Sequence, residues 1–98
     1  MKGKKRLGGT AVYRQHPAVA VEDFGDRSLV LHCEDLRLVE LNTTSRDLLS
    51  RLDGQATLDE VIQQMAGDYG LPVDVLREDV EAVIAQLIVL GLVEQVGA

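Results

Sequence analysis

The residues best suited to nucleophilic or metal chemistry are His16, His32 and Cys33. A catalytic cysteine needs a histidine within hydrogen-bond reach. His32 and Cys33 are neighbours in a stretch of period two, and alternate strand side chains point to opposite faces, so these two cannot pair. Cys33 is expected to be a small core residue, and its replacement by alanine to cost about 1 kcal/mol through the cavity left behind. His32 is expected on the sheet surface. One cysteine makes no internal disulfide and anchors no Cys-rich zinc site. The chain has no HExxH, no CxxC and no glycine-rich phosphate loop; Gly8-Gly9 sits in a basic start that leads into no strand–helix unit. Glu78, Asp79 and Glu81 have the spacing of a solvated helix surface. The expectation is a protein that is not an enzyme and holds no cofactor or metal.

Binding is the remaining chemistry, and the chain must build its surfaces from 98 residues. That length supports one domain with one modest core. Apolar residues make up 46% and the aromatics are only Tyr13, Phe24 and Tyr69, so the core must be aliphatic. No apolar run approaches the ~20 residues of a membrane span, and no secretory apolar stretch follows the basic start. A soluble, cytoplasmic protein is expected. Residues 1–14 carry Lys2, Lys4, Lys5, Arg6 and Arg14 and no acid, whereas the rest holds five cations against all 16 acids. A body so acidic repels nucleic-acid phosphates over a Debye length of about 8 Å.

Residues 1–17 are set apart as a basic flexible segment, with residues 1–9 disordered and 10–17 ambiguous; the domain is placed at 18–96. From Ala18 the apolar period is two. A first strand holds Val19 and Val21 on one face, and Phe24-Gly25-Asp26-Arg27 has turn chemistry. A second strand groups Leu29, Leu31 and Cys33 on one face, Val30 and His32 on the other. After Glu34-Asp35-Leu36 a third strand, Arg37–Leu41, sets Val39 and Leu41 opposite Leu38 and Glu40.

The period then becomes 3.6. Asn42-Thr43-Thr44 offers cap oxygens, and Thr44–Asp47 fits a capping box, for a helix ending near Leu52. Thr57-Leu58-Asp59-Glu60 is a capping box for a second helix, with Leu58, Val61, Ile62, Met65, Ala66 and Tyr69 inward and Gly70 as its stop. Pro72 starts a third helix whose core stripe is Leu76, Val80, Val83, Leu87 and Leu90; Leu92 and Val93 fold back on the core. The order β-β-β-α-α-α predicts an α+β, winged-helix-like fold: a three-stranded antiparallel sheet followed by three helices.

A winged helix raises transcriptional regulation by DNA binding as the alternative function. Residues 72–98 weigh against it, since Arg77 is their one cation against Asp74, Glu78, Asp79, Glu81 and Glu94.

Three sets of residues resemble the PqqD-like family. They are Phe24-Gly25-Asp26 with Leu29-Val30-Leu31 and a strand ending Leu41-Asn42-x-Thr44; Leu52-Asp53-Gly54 with Thr57-Leu58-Asp59-Glu60-Val61; and Asp79-Val80 with Leu87 and Leu90-Gly91-Leu92-Val93. The resemblance runs from Val19 to Val93. It implies a recognition element for ribosomally made, post-translationally modified peptides: an adaptor that binds the leader region of a precursor peptide and presents it to a modifying enzyme. That enzyme is a radical SAM enzyme in pyrroloquinoline quinone synthesis, or a leader peptidase and cyclase in lasso-peptide maturation. It implies further that the leader adds as a strand beside the third strand, against the third helix.

Carried onto this chain, the peptide-binding residues are Arg37, Leu38, Val39, Glu40 and Leu41 at the strand edge, and Arg77, Asp79, Val80, Ile84 and Ile88 on the helix. Arg77, Ile84 and Ile88 flank the core stripe on one side; Val75, Asp79 and Gln86 flank it on the other. The first flank is favoured, and Asp79 is kept because the family pattern has an acid there. No nucleic acid or membrane partner is expected, and the chain is expected to be a monomer or a weak edge-strand homodimer.

Overall fold

A computed structural model describes residues 8–97. The chain runs β1 (Val12–Gln15), β2 (Val19–Asp23), β3 (Arg27–His32), β4 (Arg37–Asn42), α1 (Thr43–Arg51), β5 (Asp53–Thr57), α2 (Leu58–Tyr69), α3 (Val73–Val89) and β6 (Val93–Gln95). The expected meander β2-β3-β4 and the three helices are present, and the class is α+β. A second sheet of order β5-β1-β6 is also present, all antiparallel. Its strand β1 lies ahead of the boundary expected at residue 18, with Tyr13 buried in the core and Arg14 bonded to Glu94 at 2.7 Å. The expected disorder of residues 1–7, with Lys2, Lys4, Lys5 and Arg6, lies outside the described residues. The Gly9 carbonyl accepts from the Asp59 amide at 2.9 Å and that of Ala11 from Leu58 at 2.8 Å, which satisfies two free amides at the start of α2.

The faces of β3 reverse one expectation. Ser28, Val30 and His32 are buried, whereas Cys33 is exposed in the turn after the strand. Directly opposed residues share a face, and the register opposes Val30 to Val21 and Val39, His32 to Val19, and Ser28 to Leu41. The other choice would turn Glu22 and Glu40 into the core. Counting apolar residues on β3 alone favours Leu29 and Leu31; counting across three strands favours Val30. His32 is therefore not a sheet-surface residue. Its Nδ1 accepts from the Asp35 amide at 3.3 Å, and its ring lies 4.7 Å from that of His16. Because Cys33 is exposed, Cys33→Ala should shift unfolding free energy by less than about 0.5 kcal/mol; chemical denaturation of the two proteins checks this, and a larger loss would contradict the exposed placement.

The helices carry the core. Leu48, Leu49, Leu58, Val61, Ile62, Met65, Ile84, Leu87 and Leu92 are at most 2% exposed. Asn42 caps α1 by accepting from the Ser45 amide at 2.8 Å, in preference to the box expected at Thr44. The box at Thr57 and Glu60 forms as expected, and Gly70 takes the left-handed angle φ 67°. Tyr69 departs from the expected inward stripe: it is 38% exposed, and its hydroxyl donates to Asp47. Arg51 bonds both Asp47 and Asp68, which ties α1 to α2. Burial works to raise the Asp47 carboxyl, but the hydrogen bonds from Arg51 and Tyr69 outweigh it and hold it below its ordinary range.

Candidate functional site

The sheet order leaves β2 and β4 as edges of the meander. Which backbone groups of β4 face outward follows from the hairpin. Phe24 N–H bonds Arg27 C=O at 2.8 Å and Cys33 N–H bonds Ala18 C=O at 2.8 Å. In an antiparallel ladder alternate residues turn their backbone groups to opposite neighbours. On β3 Arg27, Leu29, Leu31 and Cys33 therefore serve β2, and Ser28, Val30 and His32 serve β4. Their partners are Leu41, Val39 and Arg37. Leu38 and Glu40 consequently direct their N–H and C=O groups away from the sheet, along its outer edge.

The side chains follow the same alternation. Val39 is half-buried against the core and Leu41 is buried; Leu38 is 61% exposed, and Glu40 is exposed with an ion pair to Arg27 at 3.5 Å. Arg37 is exposed, and its guanidinium donates to the Leu90 carbonyl at 2.9 Å. That bond holds the start of β4 to the end of α3.

On α3 the expected residues separate. Val80 and Ile84 are core residues, 3% and 0% exposed. Arg77, Glu81, Ile84 and Ile88 recur at spacings of three and four and form one strip along the helix. This strip packs toward α2 and β1. Arg77 is ion-paired to Asp59 in the first turn of α2 and to Glu81 at 3.7 Å. Burial, then the Glu81 charge, raises the Tyr13 phenol of β1 above its ordinary value. Ile88, 38% exposed, ends the strip. The opposite strip is Asp79, Val83, Gln86 and Leu90. Asp79 and Gln86 are exposed, Val83 and Leu90 are half-buried, and Leu90 is the residue whose carbonyl receives Arg37. Of the expected helix residues, then, Asp79 lies on the strip that ends beside β4, and Arg77 and Ile84 are engaged elsewhere. No local sequence signal separates the two strips, because Arg77 and Glu81 at i, i+4 have the spacing of an ordinary solvated helix pair.

His16, His32 and Glu34 also converge, with one donor atom from each lying within 4.8 Å of the others. Their hydrogen bonds oppose a metal reading. The Nδ1 of His16 accepts from the Ala18 amide at 3.0 Å and that of His32 from Asp35. Neutral rings so bonded carry their proton on Nε2, and neither keeps a second lone pair for a cation. Among the described residues no helix is long and apolar enough to cross a membrane.

In sequence, residues 27–93 match the family described as coenzyme PQQ synthesis protein D (PqqD). No curated protein matches the chain. In structure, the chain is similar to TbiB1, which was solved in complex with the TbiA(beta) leader peptide. The TM-score is 0.73 at 17% identity, covering 83% of this chain and 94% of that one.

Proposed function

This chain belongs to the coenzyme PQQ synthesis protein D (PqqD) family, and from that premise we propose that it is a non-catalytic adaptor for a ribosomally made precursor peptide. It binds the leader region as an added strand along β4 and presents it to a modifying enzyme, either a radical SAM enzyme or a leader peptidase and cyclase. The observation that carries this reading is the outer edge of β4, where Leu38 and Glu40 turn their backbone groups outward and Arg37, at its start, bonds the Leu90 carbonyl at the end of α3. Such an edge satisfies a peptide's main chain, while neighbouring side chains select its sequence. The strip Asp79, Val83, Gln86 and Leu90 makes the helical wall of the groove, and the Arg37–Leu90 bond closes one end of it. The similarity to a protein solved with a leader peptide supports a leader peptide as the ligand.

The test begins with a cysteine-free random peptide library displayed on phage and selected on the full chain. The best selected peptide and a random-sequence DNA duplex are then titrated at ~150 mM salt. The peptide should bind and the DNA should not. Amide hydrogen exchange at Leu38 and Glu40 should slow in the complex. DNA binding with steep salt dependence and no selectable peptide would overturn the proposal in favour of a winged-helix regulator.

A further inference from the structure

We propose that the strand seated on β4 is recognised through a Lys or Arg placed two residues from an aliphatic side chain. The proposal rests on the strand-addition reading and specifies its ligand.

The outer face of the meander is divided. One half is apolar: Leu38 lies across from Leu31, and Leu31 across from Ala20, with Leu36 in the adjoining turn. Leu36 and Leu38 are 78% and 61% exposed, so this half lacks cover at the β4 margin. The other half is polar except for Leu29, which lies between Glu22 and Glu40. Asp26, Arg27, Glu40, Leu41 and Asn42 line a concavity at the far end of β4. Its single cation, Arg27, meets Glu40 at 3.5 Å with both side chains more than half exposed, a pairing water weakens. Among the described residues the other arginines are engaged elsewhere: Arg14 with Glu94, Arg46 with Asp23, Arg51 with Asp47 and Asp68, Arg77 with Asp59, and Arg37, at the opposite end of β4, with the Leu90 carbonyl. The groove wall adds Asp79, and the body as a whole is strongly acidic.

Leu38 and Glu40 are two residues apart and share this face, which is the spacing of same-face neighbours on any strand paired with β4. The added strand sets one side chain beside Leu38 and the next same-face one beside Glu40 and the concavity. Cross-strand neighbours about 5 Å apart interact directly. The first position therefore takes an aliphatic residue and the second a cation, in an order that follows the strand's direction.

The phage selection is repeated on wild type, Glu40→Lys and Glu22→Lys. An opposed charge pair across strands is worth up to about 1 kcal/mol, so Lys and Arg should be enriched about 2- to 5-fold beside the aliphatic position. Glu40→Lys should replace that preference with Asp or Glu and keep the aliphatic residue. Glu22→Lys, two strands away on β2, should leave the motif unchanged. Peptides selected without a basic preference, or with one that Glu40→Lys does not alter, overturn this inference and leave strand addition standing. Failure to select any peptide overturns both.

Discussion

Leu38→Pro and Glu40→Pro should each weaken peptide binding at least ~10-fold, about 1.4 kcal/mol, while the protein keeps its helical signal and melts within a few degrees of wild type. Proline removes the backbone N–H and is tolerated in a sheet only where that group is not paired within it. The register turns the amides of Leu38 and Glu40 outward, so their loss costs the folded chain little and costs a bound strand one ladder bond each. Val39→Pro is the contrasting variant. Val39 pairs with Val30, a residue with no exposure, and the substitution breaks the internal ladder and strains the sheet on which α1 packs. It should lose cooperative unfolding altogether. Titration with a phage-selected peptide, beside thermal melts of the three variants, checks the set. If Leu38→Pro and Glu40→Pro fold and bind as wild type does, the peptide docks somewhere other than β4.

Ile84→Ala should cost about 2–5 kcal/mol of stability, a large share of the 5–15 kcal/mol typical of a whole domain. Ile84 is 0% exposed among the core leucines, and the cavity lies where α3 meets the rest of the molecule. Ile84→Asp should not fold, because a carboxylate there has neither water nor a cation to compensate its burial. Ile88→Asp, one turn further on the same strip and 38% exposed, should fold and lose at most about 1–2 kcal/mol. Urea unfolding of Ile84→Ala and Ile88→Asp separates the two positions. An Ile84→Ala protein as stable as wild type but impaired in peptide binding would restore Ile84 to the groove wall.

Elements whose signal is local were readable from the chain alone. The α2 start needs only Thr57 and Glu60 to satisfy each other's amides, its stop needs only a glycine free to take positive φ, and the Phe24–Arg27 turn needs only Gly25 and Asp26 beside alternating apolar runs. The alternation on β4 and most of the stripes of α2 and α3 are likewise repeats within one segment, Tyr69 being the exception on α2. Even the family resemblance rests on such local sets, in order.

The rest depended on partners distant in the chain. β5, Asp-Gly-Gln-Ala-Thr, has no strand pattern and exists because β1 and its pairing hold it extended; β6 has three residues and the same support. The inward face of β3 could not be chosen from β3, because burying Glu22 and Glu40 was the cost of the wrong choice and both lie on other strands. The flanks of α3 were equivalent by helical spacing, and became different only when Asp59 from α2 met Arg77 and Tyr13 from β1 met Glu81 on one side, and Arg37 from β4 reached Leu90 at the end of the other. Periodicity reports that a side chain faces something; which neighbour it faces is an energy shared between segments, and only the packed chain contains it.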